Sequence, residues 1–385
     1  MRSPIVLNRN FPYERALRIA DDKTLIDRYF DERTSRGLFL KYSRTVYTPL
    51  LSQAVAEAER GAKEGKGFTL AIAASGIFFD LVRRYDMPLL NHLKKLEALG
   101  SLEVLAMPYF HSIAGLFPGG LDEFEEQVRM QMELMKKIFS VPVTVLVNSH
   151  LIYNDKVARA AEVLGLKGAI IEEVGGARNP PVYKAIGSED FRLLTRHSIL
   201  SRAVLEGKVE ELIKVGKEES TNVLFLEAES LAQRGSEYVK LIVSTLRRTG
   251  AEIIGPSKLI ENLDSGTISI PEQLTTSLIE YGGTVKAWIS NPMQRLAFER
   301  MAVLKALVQE AGDAKIKSLW RMLQQSDFLL SMGDGYPSYF NIFSNPAEAF
   351  AVYNSIYVDF EGKVATWVQK LRKSRATKKN PYSLK

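Results

Sequence analysis

Polar side chains follow the apolar runs in the first two thirds of this chain, and they include residue types that do acid–base chemistry. The residues just after successive runs are Asn8, Ser75, Tyr109 with His111, His150, Glu172 with Glu173, Arg196 with His197, and Glu227 with Glu229. If these runs are parallel strands of a barrel, their carboxyl ends converge on one mouth. A mouth with aromatic rings, imidazoles and carboxylates suits a sugar, which offers hydroxyls to bond and C–H faces to stack on rings.

The spacing of these residues leaves several chemistries open. Side chains alternate along a strand, so Glu227 and Glu229 point the same way if the strand stays extended, and so do Tyr109 and His111. For His111 and His150 a structural and a functional role are equally open. No H-x-x-x-H spacing supports a metal, and no G-x-S-x-G elbow indicates a Ser-His-Asp triad. We therefore expect neither a metal nor a cofactor.

The elements that must position these residues alternate between strands and helices up to about residue 265, which is typical of βα units around a parallel sheet. Strands are predicted at Ile5–Leu7, Phe68–Ala73, Leu102–Met107, Val143–Val147, Gly168–Ile171, Arg192–Thr195, Asn222–Leu226 and Glu252–Ile254. The clearest helix repeats apolar residues at steps of three and four: Phe124, Val128, Met132, Met135 and Phe139. Seven or eight strands in series favour a closed barrel over an open doubly wound sheet.

The pattern changes after about residue 270, where long helical stretches are predicted at 293–312, 314–326 and 346–374. We predict two domains, a (β/α)7-type barrel over residues 1–265 and a helical C-terminal domain over 266–385. The second domain ends in a basic tail that contains Lys370, Arg372, Lys373 and Arg375. A solvated tail is the favoured interpretation, and nucleic-acid binding through it is not favoured.

The composition of the chain bounds its class. With 385 residues, 46% hydrophobic and 25% charged, it is globular and can bury a large core. It has no cysteine, which excludes disulfides, thiol nucleophiles and thiolate metal sites and favours a reducing cytoplasm. The N-terminus lacks the apolar core of a signal peptide, and no apolar run is long enough to span a bilayer. We expect a cytoplasmic protein without a membrane partner.

Five segments of the chain together resemble glycoside hydrolase family 57, specifically its α-amylase-type members. They are GSLEVLAMPYFHSIAGLF (100–117), VLVNSHLIYNDKVARAAEVLGLKGAIIEE (145–173), LFLEAES (224–230), KAWISNPMQ (286–294) and the SDF…YFNIFSNPAEAF stretch. The resemblance implies an incomplete barrel of seven βα units, a helical domain that closes the cleft, and action on α-glucans with retention of configuration. It also implies substrate-binding roles for Tyr109, His111, Glu229, Trp288 and Gln294.

The departures from the family pattern fall on its catalytic positions. The family's nucleophile is the glutamate of Asn-Thr-Glu-Leu-Ile-Tyr-Asn, and here His150 stands at that position between Ser149 and Leu151. The family's general acid is an aspartate, and Glu227 stands there. A first-strand His-Gln-Pro is missing, and Arg202 follows Ser201 where an aspartate is expected. The resemblance thus implies a site whose catalytic carboxylate pair is altered.

Three functional hypotheses follow from the altered pair. The leading one is an inactive or weakly active α-amylase-like protein that binds α-glucan or maltooligosaccharide, or partners an active enzyme. The second is an active α-glucan hydrolase or 4-α-glucanotransferase that uses relocated carboxylates, with Glu172 or Glu229 holding a water. The third is a non-enzymatic scaffold that kept the fold for contacts with another protein or with copies of itself.

Overall fold

A computed structural model describes residues 1, 5, 7, 9, 28–175, 182–215, 221–262 and 266–379, without the side chains of 232–233, 262 and 377–379. Two compact units divide the chain, the first comprising Met1–Pro4 and Arg36–Val285 and the second Ile5–Ser35 and Lys286–Lys385. The domain boundary that the sequence predicts at residue 265 stays a prediction. Within the described ranges, no helix combines the length and the apolar character needed to cross a membrane.

The first unit alternates strands with helices. Its strands are β1 Leu70–Ala73, β2 Leu102–Leu105, β3 Val145–Leu146, β4 Gly168–Ile171, β5 Val182–Ala185, β6 Arg192–Thr195 and β7 Thr267–Ile268. Helix α1 Glu32–Tyr42 belongs to this unit from Arg36 on and continues through a π-helical turn at Ser43–Tyr47. The other helices are α2 Thr48–Glu64, α3 Gly76–Tyr85, α4 Met87–Ala98, α5 Asp122–Ile138, α6 Asp155–Val163, α7 Ser198–Leu205, α8 Glu211–Val215, α9 Gly235–Arg248 and α10 Pro256–Asn262. Short 3-10 turns cover Ala114–Leu116, Ser149–Leu151, Ala228–Arg234, Glu272–Leu274 and Ile279–Tyr281.

The strands pair in parallel in the order that a barrel requires. β1 pairs with β2, a parallel bridge from Ala106 to Leu146 leads on to β3, and β3 pairs with β4, which pairs with β6. At one end, Ile253 bridges in parallel to Phe68, and at the other the His197 N–H donates to the Val223 carbonyl. The fold is α/β, an incomplete (β/α)7 barrel followed along the chain by a helical domain, as the sequence predicts.

Local sequence explains the buried strands. All four residues of β4 are buried, as expected for a parallel strand covered on both faces. A Cβ on Gly168 would lie 2.5 Å from the Arg192 carbonyl oxygen, so only glycine lets β4 approach β6 this closely. In α5, Phe124, Val128 and Met135 are buried, and the first turn carries acidic residues that favour a helix N-terminus. The predicted helix over this segment is therefore confirmed.

Some predicted strands are irregular, and two observed strands were not predicted. Asn222–Leu226 carries no regular strand, Ile253 makes a single bridge, and Leu7 makes an isolated antiparallel bridge to Phe30. The unpredicted strands are β5, which pairs antiparallel with β6, and β7, which pairs with β5. Both are short and lie at one edge of the five-stranded sheet, whose order is β3-β4-β6-β5-β7, and neither is a run of buried apolar residues.

The second unit is mainly helical. Its helices are α11 Lys286–Ile289, α12 Pro292–Ala311, α13 Ala314–Met322, α14 Ser326–Leu330 and α15 Pro346–Lys379. Helix α12 begins with a capping box, in which Asn291 and Gln294 each accept from the other's backbone N–H. Three of the helices lie within a few residues of the stretches predicted from the 3.6-residue period.

Candidate functional site

A strained turn after β3 places His150. The Asn148 side chain accepts from the Ser149 N–H and donates to the Ile152 carbonyl, both at 2.8 Å. This closes a turn in which His150 and Leu151 have φ of 54° and 53°. Few non-glycine residues adopt such angles, although histidine does so more readily than most. A strained backbone held by its surroundings at the end of a barrel strand is typical of functional sites.

The His150 ring is fully buried, and it lies close to Glu227, His111 and Tyr281. Its Nδ1 lies 3.7 Å from Glu227 Oε1, within ion-pair range and beyond a normal hydrogen bond. Its ring centroid lies 4.8 Å from that of His111 and 4.9 Å from that of Tyr281, in edge-to-face arrangements. The structure thus brings His111, His150 and Glu227 together, three residues that the sequence places at separate strand ends.

Glu227 faces the site from the segment that follows Asn222–Leu226. Its Oε2 accepts a hydrogen bond from the Tyr281 hydroxyl at 2.8 Å, and its side chain keeps 12% of its surface exposed. The backbone is extended at Glu227 and turns into the 3-10 helix Ala228–Arg234 directly after it. The carboxylate is therefore fixed by Tyr281 on one oxygen and faces His150 with the other.

Glu229 does not share this environment. The common orientation predicted for Glu227 and Glu229 requires an extended strand. The chain turns at Ala228 instead, so the two side chains do not alternate along a strand. Glu229 is buried, and its Oε1 accepts from the Tyr47 hydroxyl at 2.7 Å. The two carboxylates thus have different phenol partners.

Tyr109 lies on a turn rather than on an extended strand. β2 ends at Leu105, and the His111 N–H bonds the Pro108 carbonyl, so the alternation expected for Tyr109 and His111 does not apply. The Tyr109 hydroxyl donates to Asp80 Oδ2 at 2.8 Å, and a Cβ on Gly76 would lie 2.2 Å from the Tyr109 ring. Partial burial and the charge of Asp80 raise the pKa of Tyr109, so its phenol stays protonated at neutral pH.

A buried ion-pair cluster lies at the ends of β4 and β6. Arg196 Nη1 donates to Glu172 Oε2 at 2.8 Å and to Glu280 Oε2 at 2.7 Å, and Nη2 donates to Glu280 Oε1 at 2.7 Å. Burial opposes the charge on Arg196, but the hydrogen bonds to Glu280 and the charges of Glu172 and Glu280 raise its pKa. Arg196 is therefore a cation in this cluster.

The segment 275–284, here called the site hairpin, carries Tyr281 and Glu280. Thr276 forms bridges to Tyr153 and to Thr284, and the Leu278 N–H bonds the His150 carbonyl at 2.9 Å. The hairpin is thus attached to the strained turn that holds His150. Sequence reasoning missed Tyr281 and Glu280, because they follow no apolar run. The pair Gly282-Gly283 after them was the available turn signal.

The other two candidate residues lie in the second unit. Trp288 and Gln294 are fully buried there. The Gln294 Nε2 donates to the carbonyls of Ala287 and Leu329, and its Oε1 accepts from Ser290 and the Asn291 N–H. These bonds use the whole hydrogen-bonding capacity of the amide within the protein. The sugar-binding roles of Trp288 and Gln294 stay predictions from the resemblance.

The remaining strand-end residues have structural contacts or lie outside the described part of the chain. Ser75 caps α3 through a hydrogen bond from the Phe78 N–H, and His197 caps α7 through one from the Leu200 N–H. Asn8 lies outside the described residues. Across the part of the chain that the structure describes, no three His, Asp or Glu side chains are grouped as a metal site would require.

The fold is of the (β/α)7-barrel class, and comparison with known proteins gives the family. Residues 3–270 match the family described as Glycosyl hydrolase family 57. The chain belongs to this family. It is 25% identical over 380 residues to a protein of Methanocaldococcus jannaschii described as "Putative alpha-amylase", with 88% of this chain and 79% of that protein aligned.

Two solved structures show the same fold. The 4-alpha-glucanotransferase from Thermococcus litoralis matches with a TM-score of 0.64 at 11% identity, over 76% of this chain and 51% of that one. This chain thus spans about half the length of that enzyme. A branching enzyme of the same family from Thermococcus kodakaraensis, crystallised with glucose and additives, matches with a TM-score of 0.61 at 11% identity, over 83% of this chain and 84% of that one.

Proposed function

We propose that this protein is an α-amylase-like family member that binds α-glucan but has lost efficient glycoside hydrolysis. The observation that carries the proposal is the pair of residues at the centre of the site. Glu227 stands at the position of the family's general acid, and the side chain that faces it at 3.7 Å is the imidazole of His150.

The chemistry of retaining glycosidases explains why this substitution matters. Such enzymes use two carboxyl groups about 5–5.5 Å apart, one to attack the anomeric carbon and one to protonate the leaving oxygen. A neutral imidazole lacks the negative charge that stabilises an oxocarbenium-like centre, and a protonated one repels it. Glu227 alone can protonate the leaving oxygen, but no paired carboxylate at position 150 attacks the anomeric carbon.

The nearby carboxylates offer poor replacements, which counts against an active enzyme with relocated groups. Glu172 Oε1 accepts from the Glu173 N–H and the Ser198 hydroxyl, and Oε2 accepts from Arg196 and the Ile279 N–H. A carboxylate has about four acceptor sites, so Glu172 has none left to hold a water. Glu229 is buried and bound to Tyr47.

Support for retained sugar binding comes from the composition of the site and from the relatives. Glu227 keeps 12% of its side chain exposed beside the buried rings of His111, His150 and Tyr281, so it offers an acceptor to a sugar hydroxyl. The names of the relatives describe an amylase, a glucanotransferase and a branching enzyme. Among the residues that the structure describes, no contact favours the scaffold alternative in particular. A protein partner, a homo-oligomer and a cytoplasmic location stay predictions.

Calorimetric titration with maltoheptaose tests the binding half of the proposal. We expect saturable binding to the parent protein and binding weaker by about tenfold in His111→Ala, because the resemblance implies a substrate-binding role for His111 and one hydrogen bond contributes about 1–2 kcal/mol. His92→Ala is the matched control, since His92 lies on α4 and bonds Ser52 and the Pro88 carbonyl. Absence of any binding heat with the parent would contradict the glucan-binding proposal.

A further inference from the structure

The Tyr281–Glu227 contact joins two segments that are far apart in sequence. Tyr281 lies on the site hairpin, and Glu227 lies at the start of the 3-10 helix Ala228–Arg234. The hydrogen bond between them, at 2.8 Å, exists only if both segments are held in register. A residue that contacts both segments can therefore set the geometry of this hydrogen bond.

Arg196 contacts both segments and touches neither Tyr281 nor Glu227 through a hydrogen bond in the described structure. Its Nε donates at 3.1 Å to the carbonyl of Phe225, two residues before Glu227. Its Nη1 and Nη2 hold Glu280, the residue before Tyr281, in a bidentate ion pair at 2.7 Å. The planar guanidinium fixes the two segments at a defined angle because its five donors cannot move independently.

Glu172 completes this arrangement from the end of β4. It accepts from Arg196 Nη1 and from the Ile279 N–H, both at 2.8 Å, and so holds the site hairpin on the other side of Glu280. Arg196 and Glu172 have side-chain exposures of 1% and 5%, so water does not weaken these bonds much. Glu172, Arg196 and Glu227 thus hold residues 279, 280 and 281, one contact to each.

We propose that Arg196 is a positioning residue that sets the contact of Tyr281 with Glu227 and His150. It does so by tying the backbone of the Glu227 segment to the side chain of Glu280. The inference rests on the proposed function for the identity of the site, but it concerns geometry that exists without sugar. Its test therefore needs no ligand, and the two proposals can fail separately.

Nuclear magnetic resonance of the histidine rings tests this proposal. The chain has four histidines, so labelling histidine alone with 13C gives four ring signals, of which His150→Gln identifies one. The Tyr281 ring lies edge-to-face with His150 at 4.9 Å, so its ring current contributes to the His150 shift. Tyr281→Leu removes that ring current, and the direction in which the His150 signal then moves is the reference for the other variants. Tyr281→Phe keeps the ring and loses only the hydrogen bond to Glu227.

Arg196→Lys retains the charge but cannot hold Glu280 with two parallel bonds. We expect this variant and Glu280→Gln to move the His150 signal in the direction set by Tyr281→Leu, and to add little when either is combined with Tyr281→Leu. Arg192→Lys, on the same strand but paired with the exposed Asp190, is the matched control and is expected to leave the signal in place. Circular dichroism confirms that each variant is folded.

Two results would overturn the proposal. One is a folded Arg196→Lys variant whose His150 signal matches the parent while Tyr281→Leu shifts it, since Arg196 would then support the fold without setting the contact. The other is a His150 signal that Tyr281→Leu leaves unchanged, because the ring contact itself would then be absent.

Discussion

Arg196→Met is expected to lower the free energy of unfolding by about 3–5 kcal/mol, because the change leaves buried Glu172 without its counter-charge. Methionine fills a similar volume but offers no donor to Glu172, Glu280 or the Phe225 carbonyl. Breaking one partner of a buried ion pair is far more costly than removing a surface pair, which contributes about 0–1 kcal/mol.

Urea denaturation followed by far-ultraviolet circular dichroism measures this effect. Tryptophan fluorescence is unsuitable, because the three tryptophans, Trp288, Trp320 and Trp367, all lie in the second unit and Arg196 lies in the first. Arg192→Met is the control, since its partner Asp190 is 77% exposed. Equal urea midpoints for the two variants would contradict the importance assigned to the Arg196 cluster.

His150→Glu is expected to increase reducing-sugar release from maltooligosaccharides by about 10- to 100-fold over the parent. Two carboxylates facing each other raise the pKa of one of them, so one can stay protonated as the acid while the other attacks. The gain is expected to be partial, because Arg202 and the altered first strand also depart from the family pattern. Glutamate at φ 54° costs about 1–2 kcal/mol of backbone strain, which the fold must tolerate.

The double variant His150→Glu with Glu227→Gln is the control for this experiment. If the gain comes from a restored pair, removing the acid abolishes it. A folded His150→Glu variant that releases no more sugar than the parent would show that a missing carboxylate at position 150 is not the main cause of low hydrolysis in this site.

The sequence predicted those parts of the fold that depend on local pattern. The buried parallel strand Gly168–Ile171 is a continuous apolar run, and both it and Arg192–Thr195 have the bounds that the sequence predicts. The convergence of His111, His150 and Glu227 follows from barrel topology, because strand ends meet at one mouth. Strand alternation failed for Tyr109 with His111 and for Glu227 with Glu229, since the chain turns at Pro108–His111 and again from Ala228 on.

The site hairpin was beyond sequence reasoning. Tyr281 and Glu280 follow no strand, and their segment is placed by tertiary contacts with Tyr153, His150 and Arg196. Their segment also lies after the predicted end of the barrel at residue 265, although the structure includes it in the first compact unit. Side-chain partners separated by more than 80 residues, such as Arg196 and Glu280, leave no periodic signal in one sequence.

Reducing-sugar release from maltoheptaose by the parent and by Glu227→Gln, assayed at equal concentration, shows whether the site around His150 cleaves α-glucan. We expect both proteins to release sugar at the same low rate, because the side chain that faces Glu227 is the imidazole of His150. Sustained release by the parent that Glu227→Gln abolishes would contradict this expectation and would establish an active glycosidase.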